Sequence, residues 1–201
     1  MPSAASRDRA DVTVAVLAGG RGERLGGRDK GLEPLLGREL VTFAMRAARA
    51  MSDDVLIVAN RNPDAYARHA SVVPDRIPGT RGPLAGVAAA LARCRRPLLL
   101  TLPVDCPEPP EELFDRLSAA LDAQAQAAVA HDGERRQPLF ALYRRDLADD
   151  ASRAAELGLG PAGWQDRLVL REVDFADRSR RFRNLNTPDD FRSFEEALAG
   201  A

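Results

Sequence analysis

The chain has 201 residues, enough for one ordinary domain with a real core, and its 45% apolar and 29% charged content points to neither disorder nor a coiled coil. Twenty-nine basic side chains face 30 acidic ones, a net charge of −1, so no global field draws in nucleic acid or a membrane surface. Cys94 and Cys106 have neither metal-ligand nor redox-motif spacing, no apolar run reaches the length of a bilayer span, and the start MPSAASRDRAD lacks the apolar segment of a signal peptide. These features together predict a soluble cytoplasmic protein, with residues 1–10 a short polar leader and 11–201 a single domain.

In chain order, Val12 to Ala18 (VTVAVLA) is a strand apolar on both faces, followed by the glycine-rich stretch up to Gly31. Leu40 to Met51 has helical spacing, VLIVAN (Val55 to Asn60) is a second buried strand, and SVVPD (Ser71 to Asp75) a short third one. A helix begins after Pro83 in GPLAGVAAALARC, and PLLLTLPVD (Pro97 to Asp105) is another apolar strand. PPEELFDRLSAAL starts a helix with proline and acids in its first turn. Ala127 to Ala130 and Leu139 to Tyr143 form a strand pair around the turn HDGERRQ. Asp146 to Asp166 is helical but interrupted at Gly158, Gly160, Pro161 and Gly163, and Leu168 to Val173 is a strand. TPDDFRSFEEAL closes the chain as a helix capped by Thr187 with Pro188 at its first position.

Alternating strands and helices predict a three-layer α/β domain with a mostly parallel sheet. Ligands of such folds sit beyond the carboxyl ends of the strands, which singles out Leu17 to Lys30, Asn60, Asp75 and Asp105. The first of these segments, VAVLAGGRGERLGGRDKG, combines glycines with Arg21, Arg24, Arg28 and Lys30. It fails the P-loop pattern, because Gly31 follows Lys30 where Ser or Thr belongs. It fails the dinucleotide fingerprint too, because Leu25 stands where the third glycine belongs. What remains is either a solvated turn or an anion-binding loop of freed backbone N–H groups and nearby cations. Its position directly after a buried strand, with cations recurring at Arg21, Arg24 and Lys30, favours the anion.

The pattern LAGGxxxRLGGxDKGL resembles the signature loop of the molybdenum cofactor guanylyltransferases, the MobA family. The resemblance continues through Asn60, Asp75, GPLAG (Gly82 to Gly86), PVDCP around Asp105, HDGERRQP (His131 to Pro138) and NLNTPDD (Asn184 to Asp190). It implies a Rossmann-like nucleotidyltransferase fold and transfer of GMP from Mg-GTP to the terminal phosphate of Mo-molybdopterin, with pyrophosphate released. It further implies that Leu17, Ala18, Gly19, Gly20, Lys30, Asn60, Asp75 and Asp105 bind GTP, that Asp105 holds Mg²⁺, and that molybdoenzymes and their maturation factors receive the product. A molybdopterin cytidylyltransferase, a sugar-phosphate nucleotidyltransferase and a non-catalytic nucleotide sensor are the competing readings.

Physically, joining two anions requires cations, and Arg24 and Lys30 suit the α-phosphate and the leaving pyrophosphate. Asp105 ends an apolar strand, which brings a hard oxygen ligand to the sheet edge. Asn186 or Asn184 can supply a second oxygen or touch the acceptor, and His131 sits in a turn where a pterin can reach it. Guanine presents N1–H and an amine, so Asp75 and the Asn60 amide oxygen suit its reading as acceptors. Cys106 reads as a small apolar filler, and Trp164 as packing for an interrupted helix. The family's Gly-x-Arg-Lys/Arg acceptor element is missing from ASRAAELGLGPAGWQDRLVL, where Arg153 and Arg167 are the substitutes on offer.

Overall fold

Seven strands lie in the order β5-β4-β1-β6-β8-β7-β9 in a computed structural model that describes residues 8–19, 27–75 and 82–199. They are β1 (Val12–Leu17), β4 (Asp54–Val58), β5 (Ser71–Val73), β6 (Leu98–Pro103), β7 (Ala127–His131), β8 (Arg136–Arg144) and β9 (Leu170–Asp174). Only β8 runs antiparallel to its neighbours, so the sheet is mostly parallel, as the pattern predicts.

The continuous apolar runs of β1 and β6 follow from burial on both faces. Val12, Val14, Val16, Leu98, Leu100 and Leu102 face one core with α1 (Leu40–Met51) and α4 (Leu113–Ala120). Ala15, Leu17 and Leu99 face the other with α3 (Pro83–Arg93), α5 (Ala148–Glu156) and α6 (Pro161–Gln165). Thr101, fully buried, donates its hydroxyl to the Leu139 carbonyl at 2.9 Å. A smaller cluster of Leu35, Leu40, Leu185, Phe191 and Phe194 docks α7 (Pro188–Ala199) on the hairpin of β2 (Pro34–Leu35) and β3 (Arg38–Glu39).

Several boundaries differ from expectation. The fourth helix begins at Leu113, not at Pro109 or Pro110. Each proline disfavours helix for the residue before it, and Pro110 instead closes a turn onto the Leu113 N–H. The HDGERRQ turn shortens to residues 132–135, because β8 starts at Arg136 and absorbs a bulge opposite Val129 and Ala130. Gly163 lies inside α6, whereas Gly158 (φ +77°) ends α5 in the left-handed conformation that glycine permits. The β2–β3 hairpin, with positive φ at both Leu36 and Gly37, and the short α2 (Pro63–Ala67) have no counterpart in the predicted elements.

Connections from β1 run to β4 on one side while β6 lies on the other, so the sheet has a switch point at β1. Its carboxyl edge stays tightly laced: Ala18 N–H donates to Val58 O at 2.8 Å, and Val104 N–H to Leu17 O at 3.1 Å. Among the described residues no helix is long and apolar enough to cross a membrane.

Candidate active site

Lys30 lies beyond the end of β1, and the residues beside it explain why the chain reads Asp-Lys-Gly. Asp29, nearly buried, accepts from the Tyr66 hydroxyl at 2.5 Å and from the Asn62 amide at 3.0 Å. Burial, then the Asp29 carboxylate, push the Tyr66 phenol far above its ordinary range, so it stays a proton donor. Gly31 is packed so closely that an added Cβ would stand 2.3 Å from the Tyr66 hydroxyl oxygen. The two residues flanking Lys30 thus fasten the loop to α2, and the lysine between them is aimed rather than left to wander.

Lys30 Nζ donates to Asp105 Oδ2 at 2.8 Å and to Asn186 Oδ1 at 2.7 Å. Three separate segments therefore converge: the loop after β1, the end of β6 and the approach to α7. Lys30 and Asp105 expose only 16% and 19% of their side chains, which shields the pair from the screening that weakens surface ion pairs. Asp105 Oδ1 and Asn184 Oδ1 are buried without a hydrogen-bond partner among the described residues. Such orphaned acceptors are rare, and in a cleft they mark positions that a ligand's donors or a cation satisfy.

The motif NLNTPDD holds its own geometry. Asp190 Oδ2 accepts from the Asn186 and Thr187 N–H groups at 2.9 and 2.8 Å, and the Thr187 hydroxyl bonds it at 2.9 Å. The Asp190 N–H donates back to Thr187 Oγ1 at 3.2 Å, a reciprocal cap of α7 that confirms Thr187 in that role. Burial of Asp190 works against its charge, but these N–H groups and the hydroxyl outweigh it and lower its pKa. The Leu185 N–H donates to Asp105 O at 2.8 Å and locks this segment beside the β6 end.

Asn60 and Asp75 meet, but on each other. The Asn60 amide donates to Asp75 Oδ1, and Asn60 Oδ1 accepts the Asp75 N–H at 2.9 Å. The amide oxygen expected to read guanine is therefore spent on the Asp75 backbone, while Asp75 Oδ2 has no partner among the described residues. Leu17, Ala18 and Gly19 leave β1 at the same edge. Gly20 and Arg24 lie outside the described residues.

His131 ends β7 on that edge, yet no contact links it to Lys30, Asp105 or Asn186 among the described residues. Its Nδ1 accepts the Gly133 N–H at 3.2 Å, and Asp132 closes the turn by accepting from Glu134 and Arg135 N–H at 2.9 and 2.8 Å. HDGER is in this respect a hairpin device. Gly133 (φ +97°) is needed there, since an added Cβ would come within 2.9 Å of Ala176 Cβ. Trp164 is fully buried, stacked on Tyr143 and bonded to Asp150, so it packs the core as expected. Cys106 is buried too; desolvation raises its thiol pKa and its Sγ donates to Arg181 O at 3.1 Å, which suits a filler and not a nucleophile.

Asp29, Asn62, Tyr66 and Asp190 are the supporting residues that sequence reasoning missed. The DKG and NTPDD motifs contain two of them, but Tyr66 has no local signal because its partner lies 37 positions away.

Lys30 meets the Asp105 carboxylate at the carboxyl edge of a mostly parallel sheet, beside its switch point, a layout that suits a nucleotidyltransferase with a Rossmann-like fold. Residues 14–171 match the model of the MobA-like NTP transferase domain, and the chain belongs to that family. The molybdenum cofactor guanylyltransferase of Shewanella amazonensis is 39% identical over 192 residues, covering 93% of this chain and 97% of that one. The protein of the same name from Photobacterium profundum is 34% identical, covering 98% and 100%. In structure, molybdopterin-guanine dinucleotide biosynthesis protein A from Archaeoglobus fulgidus superposes with a TM-score of 0.78 over 94% of this chain and 100% of its own, at 24% identity, which speaks to fold alone.

Proposed function

We infer that this chain is a molybdenum cofactor guanylyltransferase, moving GMP from GTP to the terminal phosphate of Mo-molybdopterin and releasing pyrophosphate. The observation that carries the catalytic part is Lys30 bridging Asp105 and Asn186 at the sheet edge. An oxygen of the acceptor phosphate attacks the α-phosphorus of GTP, and the bond from that phosphorus to the bridging oxygen of the leaving pyrophosphate breaks. No side chain becomes covalent. Lys30 stabilises charge on the transferring and leaving groups, and Arg24 is assigned the same task. The backbone of Leu17, Ala18, Gly19 and Gly20 approaches the nucleotide, and Asp75, braced by Asn60, offers a carboxylate oxygen to base or ribose.

A divalent cation belongs to this chemistry, and the donor set fits one. Among the described residues Asp105 Oδ1 has no partner while Lys30 neutralises Oδ2, and no cluster of three ionisable ligands is held there. A hard ion that takes one or two protein oxygens and completes its shell from phosphates and water matches that supply, and Mg²⁺ is our assignment. When bound it withdraws charge from the triphosphate. Asn186 remains available to the acceptor side once Lys30 turns to phosphate.

The two cysteines are free and buried, which suits a reducing compartment; we assign the protein to the cytoplasm, with molybdoenzymes and their maturation factors as recipients of the product. The test is to supply the protein with Mg²⁺, molybdopterin-bearing acceptor and each NTP in turn, and to measure pyrophosphate and dinucleotide product. Turnover with GTP alone is the expected result, and turnover with CTP but not GTP would overturn the guanylyl assignment.

A further inference from the structure

We propose that Lys30 has a second task besides steadying phosphate charge: it closes the Asp105 carboxylate to a bare divalent cation, so that the cation enters only together with the triphosphate. The proposal rests on the guanylyltransferase reading above and on the metal role that reading gives to Asp105.

Neither oxygen of that carboxylate is open to an ion arriving from solvent. Oδ1 is buried and has no partner among the described residues, and Oδ2 accepts the Lys30 ammonium at 2.8 Å. The pair is also exclusive: among the described residues Asp105 is the one carboxylate that pairs with Lys30, and Lys30 the one cation that pairs with Asp105. Their charges cancel, so a divalent ion arriving alone finds no net attraction and meets an ammonium bonded to the oxygen it needs. The two side chains expose only 16% and 19% of their surface, and stripping water from an unneutralised ion there adds to the cost.

The surroundings hold this lock shut by default. Asp29 and Gly31, on either side of the lysine, are fastened against Tyr66. Asn186 Oδ1 accepts the same ammonium at 2.7 Å, and the Asn186 N–H is gripped by Asp190 Oδ2 at 2.9 Å. The Leu185 N–H holds the Asp105 carbonyl at 2.8 Å. With the backbone fixed on both sides, the part free to exchange partners is the long, unbranched lysine side chain. A triphosphate carries several anionic oxygens and outcompetes one carboxylate for the ammonium. It also brings a cation, and Asp105, released by Lys30, regains the charge to receive it. Cation and nucleotide therefore favour each other's binding through one exchange at Lys30, and the coupling is reciprocal.

The experiment measures Mn²⁺ binding without nucleotide, by electron paramagnetic resonance of the free ion. It compares the wild-type chain with Lys30→Gln, Lys30→Met, Lys30→Arg, Asp105→Asn and Lys30→Gln/Asp105→Asn. Lys30→Gln still offers Asp105 an N–H donor, so it carries the test should Lys30→Met fail to fold. We expect loss of the charge to tighten the Mn²⁺ Kd about tenfold, the order of a unit charge's repulsion of a divalent ion at ~5 Å even in water-like surroundings. Lys30→Arg keeps the charge and should bind like wild type, and adding Asp105→Asn to Lys30→Gln should erase the gain. Nucleotide-free Kd values within about twofold of wild type in both Lys30→Gln and Lys30→Met overturn the lock, because Lys30 then serves phosphate alone. A gain that persists in Lys30→Gln/Asp105→Asn overturns it as well, since the ion then sits elsewhere. None of these measurements uses molybdopterin. A wild-type chain that transfers no GMP to that acceptor overturns the functional reading, while the Mn²⁺ constants judge the lock separately.

Discussion

Lys30 and Asn186 stand 156 positions apart in the chain, yet their side chains meet at 2.7 Å, and the same ammonium holds Asp105 at 2.8 Å. An ammonium satisfied by two oxygens and mostly withdrawn from solvent is oriented before substrate arrives, so little reorganisation is left for the moment of reaction. Lys30→Gln keeps an N–H donor on a somewhat shorter side chain while removing its charge. We expect pyrophosphate release at saturating substrates to fall roughly 10²–10³-fold, with the far-ultraviolet circular dichroism unchanged.

Asp105→Asn is nearly isosteric but takes away the anionic oxygen assigned to the cation. Transfer should collapse at ordinary Mg²⁺ concentrations, and the residual rate should demand much more Mg²⁺ for half-saturation. A variant with an unaltered Mg²⁺ dependence would show that the cation is held elsewhere.

Gly31→Ala drives a methyl group to 2.3 Å from the Tyr66 hydroxyl oxygen. The cost should be about 1–3 kcal/mol in urea unfolding, the range for overpacking a fixed neighbour. In a Tyr66→Phe background the nearest atoms are ring carbons at 3.1 Å, so the same substitution should cost less. Strictly additive penalties would disprove the contact. Tyr66→Phe by itself strips Asp29 of its shortest bond, with an expected loss of about 1–3 kcal/mol and a slower kcat as Lys30 loosens.

Asp190 gives a pH signature. Its folded pKa lies below the unfolded value of about 3.9, so its stabilising bonds are fully present above that pH and are lost as pH falls through the lower folded value. Asp190→Ala should cost about 0.5–2 kcal/mol at neutral pH by uncapping α7. The gap between variant and wild type should close on acidifying below about pH 4. A gap that persists unchanged at pH 2 would refute the cap.

The sequence by itself determined the layered α/β class, the limits of α1 at Leu40 and Met51, and the strand ends that deliver Leu17, Asn60, Asp75 and Asp105 to one edge. These are local matters: apolar runs for strands buried twice over, prolines and glycines where the chain turns. Long-range contact decided the rest. That Asn60 spends its oxygen on Asp75, that Tyr66 presses on Gly31, and that Asp190 fastens Asn186 depend on which loops the sheet order brings together. The hairpin at Leu36 and Gly37 was illegible for a related reason: a leucine carries no sign of a left-handed turn, and α7 supplies the packing that holds it there. Periodicity and turn chemistry act over a few residues and survive in the string of letters, whereas a hydrogen bond spanning 156 positions exists only once the sheet has closed.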